Sequence, residues 1–224
     1  MNQDEFLTEI IGKPVYNILA PCEEYKSDSI FCCRTDFPDF VDILIKQGFN
    51  LITVEIQLSR QVPPSHERYE RYRGVALEIF EREEILRIAE TCFFYDRFHK
   101  DNKIGEIIAN KIKRQWALNC LMHKRGNLVL AEQGGFLFVI KRFNDEGGID
   151  YIVDLIGVDK SARGKGIGRR LIEQLFTYAQ NQFNIENSRI ITGTQMPNIS
   201  SLKLYRTTGF DRIDGFNYVF HLHT

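Results

Sequence analysis

Three glycines stand within five positions of the segment VDKSARGKGIGRRL, residues 158–171, at Gly164, Gly166 and Gly168. The strand-like run IDYIVDLIGV leads into this segment, and the helix-like run RRLIEQLFTYAQNQF leads out of it. A glycine-rich loop at the start of a helix can present free backbone N–H groups to a phosphate, and the helix dipole adds positive potential. The segment is therefore predicted to bind a ligand that carries phosphate.

The spacing of the glycines excludes two common phosphate loops. A Walker A loop needs Lys followed by Ser or Thr after its last glycine, whereas Arg169 and Arg170 follow Gly168. A dinucleotide-binding G-x-G-x-x-G loop opens a doubly wound sheet, and the sequence after Gly168 contains too few elements for such a sheet. The remaining pattern is R-x-x-G-x-G, from Arg163 to Gly168. A tight strand-to-helix turn that binds no ligand stays open as the alternative.

A second motif follows on a predicted helix, where Asn198, Ser201, Tyr205, Gly209 and Phe210 fit N-x-x-[AS]-x-x-x-Y-x-x-x-G-F. Together with the glycine loop, this motif resembles the GCN5-related N-acetyltransferase (GNAT) superfamily, whose members bind acetyl-CoA. The element order over residues 75–223 is also similar to that family. It begins with a strand (VALEIF) and two helices, and continues with three antiparallel strands, the loop with its helix, and a final strand, helix and strand.

The resemblance implies an α/β protein with the GNAT fold, in which a mixed, mostly antiparallel central sheet is flanked by helices. A polar segment with two prolines, SRQVPPSHERYERYRG, separates two parts. We expect residues 1–64 to form a small N-terminal α/β part that contributes to the acceptor site. Residues 65–224 are expected to form the catalytic domain, which binds the acyl-CoA.

The co-substrate that the resemblance implies is acetyl-CoA or another acyl-CoA, held mainly by the glycine loop. The backbone of the preceding strand is expected to splay from its neighbour, pair with the pantetheine arm and polarise the thioester carbonyl. The residues implied to bind the co-substrate are Leu155, Ile156, Val158, Arg163, Gly164, Lys165, Gly166, Ile167, Gly168, Arg169, Asn198, Ser201 and Tyr205.

Tyr205 is the leading catalytic candidate, because a phenol is neutral at pH 7 and can donate a hydrogen bond or a proton to a leaving sulfur. Packing of this tyrosine against the sheet is the alternative. The amine must be neutral to attack, and Glu55 and Asp154 are the candidate general bases, since each is a carboxylate on an otherwise apolar strand. Either carboxylate could instead lie on an exposed strand face.

The loop FYDRFHKD, residues 94–101, coincides with the family's acceptor loop. Tyr95 or Phe98 is expected to stack on a base, and Arg97 with His99 or a residue of Lys111 to Arg114 to contact phosphate. A packed loop with solvated charges stays open as the alternative. Several segments, including TQMPNISSLKLY and LIKQGFNL, resemble dTDP-fucosamine acetyltransferases and related nucleotide amino-sugar N-acyltransferases. That likeness implies a nucleotide-linked amino sugar as acceptor and direct transfer in a ternary complex. A protein, peptide or small-molecule amine, and a non-catalytic CoA-binding module, remain alternatives.

Composition limits the other classes of function. The net charge of −1 provides no basic field for nucleic acid, and no apolar run or signal core predicts a membrane segment. The five scattered cysteines indicate reduced thiols, so we expect a cytoplasmic protein. His221 and His223 alternate on the last strand without an evident third ligand, so no metal is predicted. A homodimer is left open.

Overall fold

In the computed structural model, residues 1–63, 79–126, 128–182 and 186–224 are described. Within these residues, nine strands form one sheet in the order β1-β2-β3-β9-β4-β8-β7-β6-β5. The strands are β1 (Asn2–Gln3), β2 (Val15–Ile18), β3 (Ile30–Thr35), β4 (Asn50–Gln61), β5 (Leu128–Glu132), β6 (Gly135–Phe143), β7 (Ile149–Val158), β8 (Arg189–Gln195) and β9 (Arg212–His223). The helices are α1 (Glu5–Ile11), α2 (Pro38–Lys46), α3 (Ile79–Thr91), α4 (Arg97–Lys100), α5 (Glu106–Leu121), α6 (Ile167–Gln180) and α7 (Ile199–Thr207).

The sheet is mixed and mostly antiparallel, as predicted. Among the described strands, only β2 with β3 and β7 with β8 run parallel. The strands β5, β6 and β7 form the antiparallel meander that their glycine-rich turns predicted. The predicted α/β class, with helices on a central sheet, is confirmed.

Strand β6 separates the two helical layers by simple alternation of its side chains. Phe136 and Phe138 pack with residues of α3 and α5 on one face. Leu137 and Val139 pack with residues of α6 on the other face. This period of two is the pattern of a strand that is buried on both faces, so the strand fixes the positions of both layers.

A β-bulge interrupts this alternation in β7. Phe138 pairs with Leu155 while its neighbour Val139 pairs with Val153, so Asp154 is the extra residue. Val153 faces the α6 layer, whereas Leu155, two residues later, faces the α3 and α5 layer. The bulge thus reverses which face of the sheet the side chains of the last part of β7 point to.

Directly before the bulge, β7 also separates from β8. The two strands pair from Asp150 with Arg189 to Ile152 with Ile191. In the described part of the chain, the rest of β7 pairs only with β6, and the rest of β8 only with β4. A wedge-shaped opening is therefore built into the middle of the sheet.

The N-terminal residues belong to this same sheet. Strand β3 pairs with β9, and β4 lies between β8 and β9. The expected division near residue 65 stays a prediction, because residues 64–78 lie outside the described part of the chain. The predicted strand VALEIF falls mostly on those residues, but its last two, Ile79 and Phe80, begin helix α3 instead.

None of the described helices combines the length and the apolar character that crossing a membrane requires.

Candidate active site

A cleft of about 890 Å³ lies at the opening between β7 and β8. Every residue predicted to be catalytic or to bind the co-substrate or the acceptor lines this cleft, except Lys165 and His99. Its walls come from β7, β8, the glycine loop, α7, α5 and the loop before α4. The two sequence motifs and the acceptor loop, far apart in the chain, therefore meet at one place.

The glycine loop ends in the N-terminus of α6. Gly166 is the residue before the first turn, with φ of +78°, a left-handed conformation that side chains rarely adopt. A Cβ on Gly168 would lie 3.1 Å from a methyl group of Leu204, so this glycine lets α6 and α7 approach closely. The first N–H groups of an α-helix have no partner within the helix, and Gly166, Ile167 and Gly168 at the start of α6 line the cleft, as a phosphate site requires.

The basic side chains around this loop have different partners. Arg163 donates to the carbonyl oxygen of Cys92 at 2.8 Å, so its side chain joins the loop to the end of α3. Arg170 pairs with Glu132 and also donates to the carbonyl oxygen of Lys165. Arg169 lines the cleft, at 3.8 Å from Glu173. Lys165 is exposed and lies outside the cleft lining, so the predicted contact of its side chain with the co-substrate is not evident.

Tyr205 reaches the cleft from α7. The residue is only 2 % exposed, and its ring packs edge-on against Phe210 at a centroid distance of 5.5 Å. Burial raises the pKa of the phenol, although the neighbouring hydroxyl of Thr192 opposes this shift. The phenol therefore keeps its proton near neutral pH and can act as a donor.

Asn198 serves as the N-cap of α7. Its side-chain oxygen accepts from the N–H of Ser201 at 3.3 Å, and its side-chain nitrogen donates to the hydroxyl of Thr194 at 3.2 Å. Both residues of the motif also line the cleft. The capping role is therefore compatible with the predicted contact to the co-substrate.

The two candidate bases have unequal surroundings. Both oxygens of Asp154 accept from Arg125, at 2.7 and 2.8 Å, and Nε1 of Trp116 donates to the same carboxylate at 2.8 Å. Glu55 accepts from Nε of Arg34 at 2.9 Å through one oxygen only. Both oxygens of Asp154 are engaged, whereas only one oxygen of Glu55 accepts a hydrogen bond among the described residues, so the geometry favours Glu55 over Asp154.

The acceptor loop departs from its predicted contacts at two positions. Phe98 is 2 % exposed and packs in the core, and the guanidinium of Arg97 lies over its ring at 4.6 Å, so no free ring face remains for a base. His99 is turned away from the cleft, between Asp96 at 2.6 Å and Asn110 at 2.9 Å, so both its ring nitrogens are engaged. Tyr95, 38 % exposed, and Arg97 line the cleft, and their expected contacts with a base and with phosphate stay predictions.

Sequence reasoning missed several cleft residues. Phe94, 43 % exposed, offers a second aromatic side chain beside Tyr95. Arg34 comes from β3 and Trp116 from α5, segments that carry no motif, whereas Lys113 lies within the segment Lys111 to Arg114 that was expected to offer a cation to phosphate. The single tryptophan and a lone arginine within the apolar run IFCCR were the available signals. Among the described residues, six lysine or arginine side chains and three carboxylates line the cleft, although the net charge of the chain is −1.

A third partner for the two histidines of β9 lies outside the cleft. Nδ1 of His221 and Nε2 of His223 each lie 2.7 Å from the same oxygen of Asp101. The nitrogen and oxygen atoms of this cluster lie within 4.8 Å of one another, so the cluster could hold a metal ion. The distances of 2.7 Å, however, are those of hydrogen bonds. The absence of a metal stays a prediction, and the cluster joins the loop after α4 to β9.

Replacing Asp101 by Asn is expected to lower the free energy of unfolding by about 3 kcal/mol near pH 5.5, because a buried charge pair loses one partner. Burial favours the neutral carboxyl, but hydrogen bonds from both histidines lower the pKa of Asp101. Burial also favours the neutral imidazole, but the bond to Asp101 raises the pKa of His221. The pair therefore stabilises fully above about pH 4 and below about pH 6.5, and less outside this window.

Urea unfolding of the wild type, Asp101→Asn and the exposed control Asp145→Asn at pH 5.5 and pH 9 measures this effect. The loss at Asp101 should be smaller at pH 9. An equal loss at both pH values would contradict the assigned charge pair.

The acetyltransferase (GNAT) family model matches residues 65–210. Two solved structures show the same fold. A GCN5-related N-acetyltransferase from Sphaerobacter thermophilus gives a TM-score of 0.53 at 13 % identity, over 87 % of this chain and 59 % of that one. A functionally unknown conserved protein from Staphylococcus epidermidis gives 0.52 at 14 % identity, over 88 % and 73 %.

Two curated relatives differ in the function that their names give. The spore coat polysaccharide biosynthesis protein SpsD of Bacillus subtilis is 28 % identical over 144 residues, which are 62 % of this chain and 47 % of that protein. The N-alpha-acetyltransferase RimI of Mycobacterium tuberculosis is 32 % identical over 96 residues, which are 42 % and 57 %. The chain spans about half the length of the curated relatives it matches.

Proposed function

Because the chain belongs to the acetyltransferase (GNAT) family, we propose that it is an acyl-CoA-dependent N-acyltransferase whose acceptor is a nucleotide-linked amino sugar. The main observation in support is that the glycine loop, Tyr205 and the cationic acceptor loop all line one cleft, at the opening between β7 and β8. A phosphate-bearing cofactor at one end and an anionic acceptor at the other would both fit this arrangement.

The residues present fit acyl-CoA. The N-terminus of α6 offers N–H groups to a pyrophosphate, and the free edge of β7 beyond Ile152 offers backbone groups to an extended arm. When bound, acyl-CoA would supply the acyl group as a thioester; the C–S bond breaks as the C–N bond forms, and CoA would leave as a thiolate that takes a proton from water. Leu155, Ile156 and Val158 lie along the free edge, where a backbone N–H can stabilise the oxygen of the carbonyl under attack.

One side chain accepts a proton and another donates a hydrogen bond in this proposal. Glu55 accepts a proton from the acceptor amine, directly or through water, through the oxygen that does not face Arg34. Oη of Tyr205 donates a hydrogen bond to the leaving sulfur and keeps its proton. None of the five cysteines lies in either motif, and the one cysteine that lines the cleft, Cys92, has its pKa raised by burial to about 12. This favours direct transfer over a covalent acyl-enzyme.

The acceptor class rests on charge and aromatic surface. Cations outnumber carboxylates two to one in the cleft, and Phe94 and Tyr95 are partly exposed there, as a base and a diphosphate require. The likeness to a polysaccharide biosynthesis protein supports a sugar, and we propose a dTDP-linked amino sugar. The likeness to RimI supports a protein N-terminus as the second candidate, although an acidic peptide-binding groove is not evident among the described residues.

A panel of acceptors tests the class. We expect turnover of a dTDP- or UDP-linked 3- or 4-amino sugar with acetyl-CoA or a longer acyl-CoA, followed by release of free thiol. The comparison acceptors are peptides with free N-termini and polyamines at equal concentration. Turnover of a peptide or polyamine, with none of any nucleotide sugar, would reject the proposed acceptor. No turnover of any amine, with CoA bound, would favour a non-catalytic module.

A further inference from the structure

Two buried cations stand at the acceptor end of the cleft. Arg97 and Lys113 are each 6 % exposed, and both line the cleft. Within the described part of the chain, Arg97 makes no hydrogen bond and no ion pair, and its Nη1 is buried without a partner. Burying a charge is strongly unfavourable unless an opposite charge or hydrogen bonds compensate it.

The carboxylate beside Lys113 is already engaged. Asp96 caps α4 by accepting from the N–H of Phe98 at 3.0 Å, and its other oxygen lies 2.6 Å from Nδ1 of His99. Nζ of Lys113 lies 3.9 Å from that oxygen, which is too far for a hydrogen bond. Burial lowers the pKa of Lys113 and Arg97 adds to this, while Asp96 opposes it. Asp96 therefore offsets one cation at most.

The remaining described carboxylates of the cleft make no ion pair with Arg97. Glu55 pairs with Arg34, and Asp154 pairs with Arg125. Burial and Arg34 lower the pKa of Arg97, while Cys32, Glu55 and Asp4 oppose this without an ion pair. Among the described residues, Arg97 therefore has no direct counter-charge.

We propose that Arg97 and Lys113 form an anion subsite that takes a phosphate group of the acceptor. This proposal rests on the proposed function. It names the group of the acceptor that this end of the cleft binds. A guanidinium offers several N–H donors to phosphate oxygens, and an ammonium adds a point charge. Phe94 and Tyr95 line the same cleft and give the base of a nucleotide an aromatic surface.

A purely structural role makes the opposite prediction for stability. The guanidinium of Arg97 lies 4.6 Å over Phe98, and Lys113 lies 4.9 Å from Phe93 and 5.0 Å from Trp116. If these cation–π contacts are the reason for the two cations, removing a cation destabilises the free protein. If the two cations instead serve to bind an anionic ligand, removing one of them removes charge repulsion and the cost of burying a charge. The protein without ligand then keeps or gains stability.

Thermal unfolding with inorganic phosphate distinguishes these roles. Saturating CoA is present throughout so that the glycine loop is filled, and ionic strength is held constant. We expect phosphate at about 100 times its Kd to raise the Tm of the wild type by about 5 °C or more. Arg97→Gln should lose this rise while its Tm without phosphate stays equal to or above that of the wild type. Lys111→Gln, an exposed lysine on the same helix as Lys113, should behave as the wild type.

Two further variants keep the test decisive. If Arg97→Gln does not fold, Arg97→Lys should retain part of the phosphate response and Lys113→Met should lose most of it. A lower Tm for the variants with an undiminished phosphate response, or no response of the wild type, would overturn the subsite.

The chemistry of the ligand is tested separately. Stabilisation by dTDP but not by thymidine or acetate is expected, whereas a response to acetate alone would assign the subsite to a carboxylate and reject phosphate. Phosphate binding is scored without turnover, so a failure of the acceptor panel and a failure of this subsite are separate results.

Discussion

Replacing Tyr205 by Phe is expected to lower kcat by about 10²-fold or more, with little change in CoA affinity. The substitution keeps the ring that packs against Phe210 and removes only the hydroxyl. A tenfold change in rate corresponds to about 1.4 kcal/mol, so the loss equals the contribution of one well-placed donor. Steady-state rates at saturating acyl-CoA and acceptor measure it.

Burial of Tyr205 decides whether its phenol transfers its proton to the leaving sulfur or only donates a hydrogen bond to it. With ordinary pKa values of about 10 for a phenol and about 8.5 for a thiol, full transfer to sulfur is uphill by about 2 kcal/mol. Burial raises the pKa of Tyr205, which makes full transfer still less favourable. Tyr205 is therefore expected to act as a hydrogen-bond donor whose proton is retained through neutral pH, so its own titration should not limit the rate there.

Tyr151→Phe is the matched control. Tyr151 is fully buried on β7, its hydroxyl has no partner among the described residues, and it does not line the cleft. Its loss should leave kcat unchanged. A near-normal kcat for Tyr205→Phe would place the donor elsewhere.

Replacing Gly166 by Val is expected to weaken CoA binding by about 10²-fold or more. Gly166 has φ of +78°, and a Cβ there would lie 3.1 Å from Nη1 of Arg170. A β-branched residue in this conformation costs about 1–3 kcal/mol, so the loop would move to relieve the strain. The N–H groups that face the pyrophosphate would then no longer converge. Calorimetric titration with CoA measures the change.

Gly147→Val separates loss of binding from strain alone. Gly147 has φ of +82° in the turn between β6 and β7, and a Cβ there meets nothing within 4 Å. Both variants should lose comparable stability, but only Gly166→Val should lose CoA. Normal CoA binding by Gly166→Val would reject the loop assignment.

The glycine-loop end of the cleft, which we propose binds CoA, could be located from the sequence because its determinants are local. The glycines, the helix that they precede and the spacing from Asn198 to Tyr205 all lie within single supersecondary units. Periodicity located the meander for the same reason. These features depend on neighbours a few residues away, which a sequence records directly.

The acceptor end could not be predicted in this way, because its residues meet only after long-range pairing. Arg34 reaches the cleft through β3, and Lys113 is distinguished from the exposed Lys111 only by which face of α5 is buried. Phe98 and His99 look like surface residues of a polar loop, yet one packs in the core and the other lies between Asp96 and Asn110. Loop composition alone does not report such burial.

The position of β4 has a consequence for how the chain acquires its structure during synthesis. Glu55 pairs with Gln195, 140 residues later, and with Asn217 on the other side. Synthesis proceeds at about 5–20 residues per second, so either neighbouring strand is synthesised only on the order of 10 s after β4. Until then both its edges carry unpaired N–H and C=O groups, which favours pairing with other chains. The strand pairs at the centre of the sheet therefore form last. Until they form, β4 is protected from such pairing only by proteins that bind nascent chains.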